Sequence, residues 1–146
     1  VKYTELDQLL SESDIITLHL PAVEETHHMI DAEAFTKMKD GVCLVNTARG
    51  ELIDSDALLD ALNSGKVKHA LLDVLEHEHN FEENKELIHH SSVVTTPHIA
   101  FYAEESMHNM YEDAFTSIDE YLRGEKPEHT VKPPTVICDL PGVKKA

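Results

Sequence analysis

The chain has 146 residues, 41% of them hydrophobic, which suffices for one domain with a sizeable core and excludes a generally disordered chain. Its formal charge of -16, from 28 acidic against 12 basic side chains, repels nucleic-acid phosphates and anionic membrane surfaces, and no basic cluster offsets it, since the adjacent pair Lys144 and Lys145 lies in the terminal tail. The 2 cysteines, Cys43 and Cys138, are too far apart to suggest a disulfide framework, the opening V-K-Y-T-E-L-D-Q is too polar for a signal peptide, and no run reaches the length of a membrane span, so a cytoplasmic protein is the simplest expectation.

In chain order, residues 3–11 form a short helix candidate with Leu6, Leu9 and Leu10 on one face, and 14–20, D-I-I-T-L-H-L, a strand stopped by Pro21. A linker holding Glu24, Glu25 and Thr26 leads to a helix over 31–38, ended by Asp40-Gly41. The stretch 42–50, V-C-L-V-N-T-A-R-G, is an apolar strand over 42–46 that breaks into a small-residue turn carrying one arginine, Arg49. A helix over 55–63 has acidic starters at Asp54 and Asp56, a stripe of Leu58, Leu59 and Leu62, and Gly65 as its stop. The strand 69–74 closes on Asp73 and runs into Leu75, Glu76, His77 and Glu78. After a short acidic loop comes the β-branched strand 93–96, halted by Pro97 with His98 just beyond. A long helix within 103–122 repeats Met107, Met110, Tyr111, Ala114, Phe115, Ile118, Tyr121 and Leu122 at three and four spacing, which reads as core packing. From Gly124 onward, charges and prolines suggest an irregular tail.

Strands alternating with helices imply an α/β fold, a mostly parallel sheet covered on both faces with right-handed crossovers. Ligands of such sheets collect outside the carboxyl ends of the strands. An arginine, carboxylates and a histidine fall at three successive strand ends, and with parallel, adjacent strands Arg49, Glu78 and His98 converge. A guanidinium at such a place grips a carboxylate through two parallel charge-assisted hydrogen bonds. Each piece also has a plain reading: Arg49 as a capping or surface arginine, Asp73 as a strand terminator, Glu78 as a solvated loop charge, His98 as a satisfied loop histidine. The conjunction of all of them is harder to assign to chance. A dinucleotide-binding unit should open with G-x-G-x-x-G, and the 5 glycines, Gly41, Gly50, Gly65, Gly124 and Gly142, contain no such cluster. The 11 histidines, His77, His79, His89 and His90 above all, come without paired cysteines or H-E-x-x-H spacing, so no metal site is expected.

The ordered motifs S-D-I-I-T-L-H-L-P, V-N-T-A-R-G-E-L-I-D, L-L-D-V-L-E-H-E and T-P-H-I-A-F-Y resemble the D-isomer-specific 2-hydroxyacid dehydrogenase family over residues 3–131. The A-F-Y at Ala100, Phe101 and Tyr102 resembles its D-lactate and D-2-hydroxyisocaproate dehydrogenase branch. The resemblance implies the second half of a Rossmann-like NAD-binding domain, incomplete without the glycine fingerprint and the N-terminal part of the substrate domain. It implies a partial NAD-binding domain over 1–131, a C-terminal tail over 132–146, and a truncated or processed piece of a longer enzyme.

By that resemblance Arg49 binds the carboxylate and keto oxygen of a 2-oxo acid such as pyruvate. His98 is the general acid and base, and Glu78 is its carboxylate partner, with Glu76 as the competing candidate. His19, Leu20 and Pro21 run beside the adenosine ribose of NAD, while Thr26, Thr47, Ala48, Arg49 and Asp73 lie toward the nicotinamide half and Tyr102 on the substrate side. The loop between Glu78 and His98 is expected to be a trimmed lid, and Val136, Ile137 and Leu140 of the tail to pack on a neighbour. The exposed half-site and unpaired sheet edge imply a homo-oligomer, a dimer in the simplest case. The reading from a different class is a non-catalytic module that keeps the fold and binds a partner protein through its acidic surface.

Overall fold

The computed structural model describes residues 2–130, so the expected tail over 132–146 and Cys138 lie outside the described residues. The chain divides into two compact units, Val1–Phe101 and Tyr102–Ala146. In the first, the elements run α1 (Leu6–Glu12), β1 (Ile15–Leu18), α2 (Ala32–Lys37), β2 (Val42–Asn46), α3 (Ser55–Asn63), β3 (Val67–Leu72), α4 (Phe81–His89) and β4 (Val93–Thr95), with 3-10 turns at Glu24–Thr26 and Gly50–Leu52. The 4 strands form one parallel sheet in the order β1-β2-β3-β4, giving the Rossmann-like α/β architecture that the alternation of elements implies.

Local chemistry fixes the helix starts. Asp31 accepts from Ala34 N at 2.8 Å and Asp54 from Ala57 N at 3.0 Å, each filling one of the free N–H groups of a first turn. Gly65, at φ 78°, takes the left-handed position after α3 that lets the chain turn into β3. Leu10, Phe35, Leu58 and Leu62 from the helices meet Ile16, Leu18, Val42, Leu44, Val67 and Leu72 from the sheet in one buried core. A register shift where Val42 pairs with Val67 but Cys43 with His69 leaves Lys68 and His69 both exposed, then returns Ala70 and Leu72 to the core side.

Several expectations change. Helices do not cover both faces of the sheet within the first unit: Ile15, Leu71 and Val94, on alternate positions, stay exposed. The strand order explains this, because right-handed crossovers that always step in one direction lay every helix on the same face, and α1 to α4 contact one another in sequence. In α1 only Leu10 is buried, and Leu6 and Leu9 remain exposed. The segment expected to be a bare acidic loop contains α4, whose glutamates outnumber its core contacts; Leu87 and Asn84 are its buried residues. In the second unit, α5 (Glu104–Leu122) forms as its spacing predicts, but none of its residues is buried, and Phe115 and Tyr121 are 69% and 73% exposed. An amphipathic stripe buries only against a partner, and α5 is the one helix or strand among the described residues of its unit.

One close approach ties two strand exits together. A Cβ built on Gly50 would stand 2.1 Å from the carbonyl carbon of Leu75 and 2.4 Å from Glu76 N, so only a glycine lets the β2 exit lie against the β3 exit. Gly50→Ala is therefore expected to lower stability by about 1–3 kcal/mol through overpacking, read as a fall in the urea midpoint of the purified chain.

Candidate active site

Asn46 is the last residue of β2 and fully buried. Its Nδ2 donates to Arg49 O at 2.8 Å and its Oδ1 accepts from Ala48 N at 3.0 Å, while its main-chain oxygen accepts from Asp73 N at 2.9 Å. One buried amide thus shapes the turn 46–49 and joins it to the end of β3. Sequence reasoning passed over Asn46; the available signal was an amide at an alternating core position of an apolar strand, where an unpaired polar group is costly. The turn sends Arg49 outward, with Nη1 donating to Ala48 O at 2.6 Å, and among the described residues no ion pair engages the guanidinium. Arg49, Thr47 and Ala48 line a cleft with His19, Leu20, Pro21 and Ala22 from the β1 exit. Thr26 stands outside that lining and organises its rim: the hydroxyl donates to Pro21 O at 2.7 Å and accepts from Val23 N at 3.0 Å.

The β3 and β4 exits meet at Asp73, a buried carboxylate. Oδ1 accepts from Ile99 N at 2.9 Å and from the Thr96 hydroxyl, Oδ2 accepts from Ala100 N at 2.8 Å, and the Asp73 carbonyl accepts from His98 N at 2.9 Å. Burial works against its charge, but the Thr96, Ala100 and Ile99 donors and the nearby His98 outweigh it and hold the carboxyl below its ordinary value. The restraint has a visible consequence, because His98 sits at φ 53°, in the left-handed region that costs an ordinary side chain roughly 1–2 kcal/mol.

From that position His98 Nδ1 reaches Glu78 Oε2 at 3.0 Å. The pair lines a cleft with Asp73, Leu75, Thr96 and Pro97. Glu76 turns elsewhere: it meets His28 Nε2 and accepts from Ser55 N at 3.2 Å at the start of α3. Burial penalises that carboxylate too, yet the His28 and Ser55 hydrogen bonds keep its pKa below the ordinary value. The fold thus pairs Glu78, not Glu76, with His98, and sets Arg49 at the next strand exit, on the cleft shared with β1. Tyr102 begins the second unit. Chemically, a half-exposed imidazole with one nitrogen engaged by a carboxylate can move a proton through the other, and an outward guanidinium can hold an anion.

The chain is similar to known proteins in both sequence and fold. The sequence pattern of the D-isomer specific 2-hydroxyacid dehydrogenase NAD binding domain matches residues 1–100. The chain is 44% identical over 135 residues to a D-lactate dehydrogenase of Treponema pallidum, covering 84% of the chain and 41% of that protein. It is 42% identical over 137 residues to an aromatic 2-oxoacid reductase of Clostridium sporogenes, covering 85% of the chain and 41% of that protein. The crystal structure of D-lactate dehydrogenase from Aquifex aeolicus complexed with NAD and lactic acid superposes with a TM-score of 0.80 at 39% identity, over 85% of the chain and 41% of that structure. The chain spans about two fifths of the length of these relatives.

The Asp73 clamp makes a stability prediction with a defined sign. A carboxyl whose folded pKa is depressed stabilises the protein above its unfolded value, near 3.8, and loses that contribution as pH falls through the lower folded value. Asp73→Asn is expected to cost about 2–4 kcal/mol at pH 7. The gap to the parent chain should persist down to about pH 5 and narrow below about pH 4 in denaturation curves recorded across that range.

Proposed function

The chain belongs to the D-isomer specific 2-hydroxyacid dehydrogenase family, and from that premise we propose that it is part of an NAD-dependent enzyme that interconverts a 2-oxo acid, pyruvate in the first instance, and its D-2-hydroxy acid. The observation that carries this reading is the Glu78–His98 pair at 3.0 Å, which joins the β3 and β4 exits on a left-handed His98, with Arg49 at the exit of β2, the strand beside β3. A module that needed only the fold would have no use for a strained histidine. In this reading residues 1–131 supply part of the NAD-binding domain of a cytoplasmic protein.

The chemistry of the β1–β2 cleft fits the nicotinamide and ribose portions of NAD. Leu20, Pro21, Ala22 and Ala48 offer apolar surface to a flat ring, and Thr47 offers a donor to hydroxyl or carboxamide oxygens, with Arg49 on the same cleft left to the substrate. His19 and Thr26 complete the set, His19 on the cleft and Thr26 holding its rim. When bound, the cofactor supplies or accepts the hydride. Arg49 binds the substrate carboxylate and offsets the charge that develops on the keto oxygen. Glu78 accepts from His98 Nδ1, which leaves Nε2 as the nitrogen that gives its proton to that oxygen in reduction and takes it back in oxidation. Asp73 positions His98 through the backbone it clamps.

The similarity to both a D-lactate dehydrogenase and an aromatic 2-oxoacid reductase makes substrate size the open variable of this reading. NADH oxidation by the intact parent protein, followed with pyruvate and with phenylpyruvate, tests it. We expect turnover of a 2-oxo acid with the D-isomer as product; L-product or no turnover of either acid would refute the proposal. Arg49→Lys should lower kcat/KM about 100-fold or more while changing NADH affinity little, because the bidentate fork serves the substrate.

The chain by itself should behave differently. Without a glycine turn to cradle the pyrophosphate it forgoes charge-assisted hydrogen bonds of about 1.5–3 kcal/mol each, and two of them correspond to roughly a hundredfold or more in affinity. We expect weak NADH binding and no measurable turnover from the 146-residue chain in calorimetric and spectrophotometric assays. Among the described residues the β1 edge of its sheet has β2 as its only strand neighbour, so the chain should sediment as a homodimer or larger.

A further inference from the structure

A second group of donor side chains lies outside the linings of both clefts. The turn Glu24–Thr26 delivers His27 and His28, whose rings stack with centroids 3.9 Å apart. Backbone pairing fixes the segment, with His28 N donating to Glu51 O at 2.8 Å and Ile30 N to Leu52 O at 3.0 Å. His28 Nε2 meets Glu76 Oε1, and its Nδ1 lies 3.8 Å from Asp54 Oδ2. The other oxygen of Asp54 is committed to the cap of α3. One donor atom from each of His27, His28 and Glu76 lies within 4.8 Å of the others.

We propose that His27, His28 and Glu76 bind a divalent transition-metal ion of the zinc class, with Asp54 orienting the His28 ring and water completing the shell. Two imidazoles and one carboxylate suit zinc, cobalt or nickel, whereas magnesium and calcium favour oxygen donors alone. Neighbouring ligand atoms in a tetrahedral zinc shell stand about 3.3 Å apart, so donors already within 4.8 Å need only small rotations to close on an ion. A carboxylate behind the second nitrogen of a histidine is the common outer partner of such sites, and Asp54 Oδ2, 3.8 Å from His28 Nδ1, stands on that side of the ring and reaches it by a small rotation. Electrostatics favour entry: the cleft beside His28 and Glu76 is lined by Asp54, Asp56, Glu83 and His77, with no lysine or arginine among its lining residues. A hydrogen bond between His28 and Glu76 accounts for two of the three groups; a shared ion also accounts for His27, stacked within reach of the same point. Sequence spacing hides the site because His28 and Glu76 are 48 positions apart. The fold closes that separation through the α3 cap and the β3 exit.

The test titrates the 146-residue chain with Zn2+ by calorimetry and with Co2+ by visible absorption. We expect one equivalent of saturable Zn2+ binding and the ligand-field bands of a four-coordinate Co2+ centre. His27→Ala and His28→Ala should each weaken binding at least about tenfold, and Asp54→Asn should do so by about 10–100-fold. Because His27 is an exposed residue, His27→Ala keeps the comparison valid even if His28→Ala disturbs the loop. A variant lacking both His89 and His90 should bind as the parent does. Absence of a one-to-one isotherm in the parent chain, or undiminished binding by the double variant H27A/H28A, would overturn the proposal.

Discussion

Asp73 is a charge taken out of water, and the geometry of the strand exits follows from how it is satisfied. A buried carboxylate persists only when hydrogen bonds replace its hydration. Here the replacements are the Thr96 hydroxyl and the amides of Ile99 and Ala100, so the chain after β4 must fold back over the end of β3. His98 lies inside that fold-back and takes up the left-handed backbone it requires. The favourable charge-assisted bonds exceed the backbone strain, which is why an ordinary side chain holds a conformation normally left to glycine.

Two quieter constraints join the remaining exits to this one. Asn46 spends its buried amide on Arg49 and Ala48, and its main-chain carbonyl on Asp73 N, so the arginine-bearing turn is tied to the backbone of the same residue. Gly50 lets that turn lie against the Leu75–Glu76 peptide, leaving Glu76 to cap α3 and Glu78 to face His98. The two glutamates have different work because the chain turns over residues 76–79, just past the β3 exit. Displacing any one of Asn46, Gly50 or Asp73 shifts the geometry at more than one exit.

The parallel sheet, the central strand Val42–Asn46, helix α3 and the placing of Arg49, Glu78 and His98 at strand exits were legible in the sequence, because apolar runs, acidic caps and breakers are local signals. What escaped depended on long-range pairing. Asn46 and Asp73 look like ordinary polar ends of apolar strands until their partners at 96–100 are known. Helix α4 carries too few apolar residues to show a period, since Leu87 and Asn84 are its buried positions. The stripe of α5 has the right spacing for burial, but spacing specifies a face and not the partner that covers it. The His27, His28 and Glu76 cluster is invisible at any sequence window.

Amide hydrogen exchange at Ile99 and Ala100 in the purified chain measures the Asp73 clamp most directly. If the carboxylate holds both amides as the geometry shows, they exchange at least about 100-fold more slowly than unstructured amides at neutral pH, and Asp73→Ala, which leaves neither side-chain acceptor, releases both while leaving the β2 amides protected. Exchange of Ile99 and Ala100 at unstructured rates in the parent chain would contradict the account at its centre, since the carboxylate would then not be what folds the chain after β4 back over the end of β3.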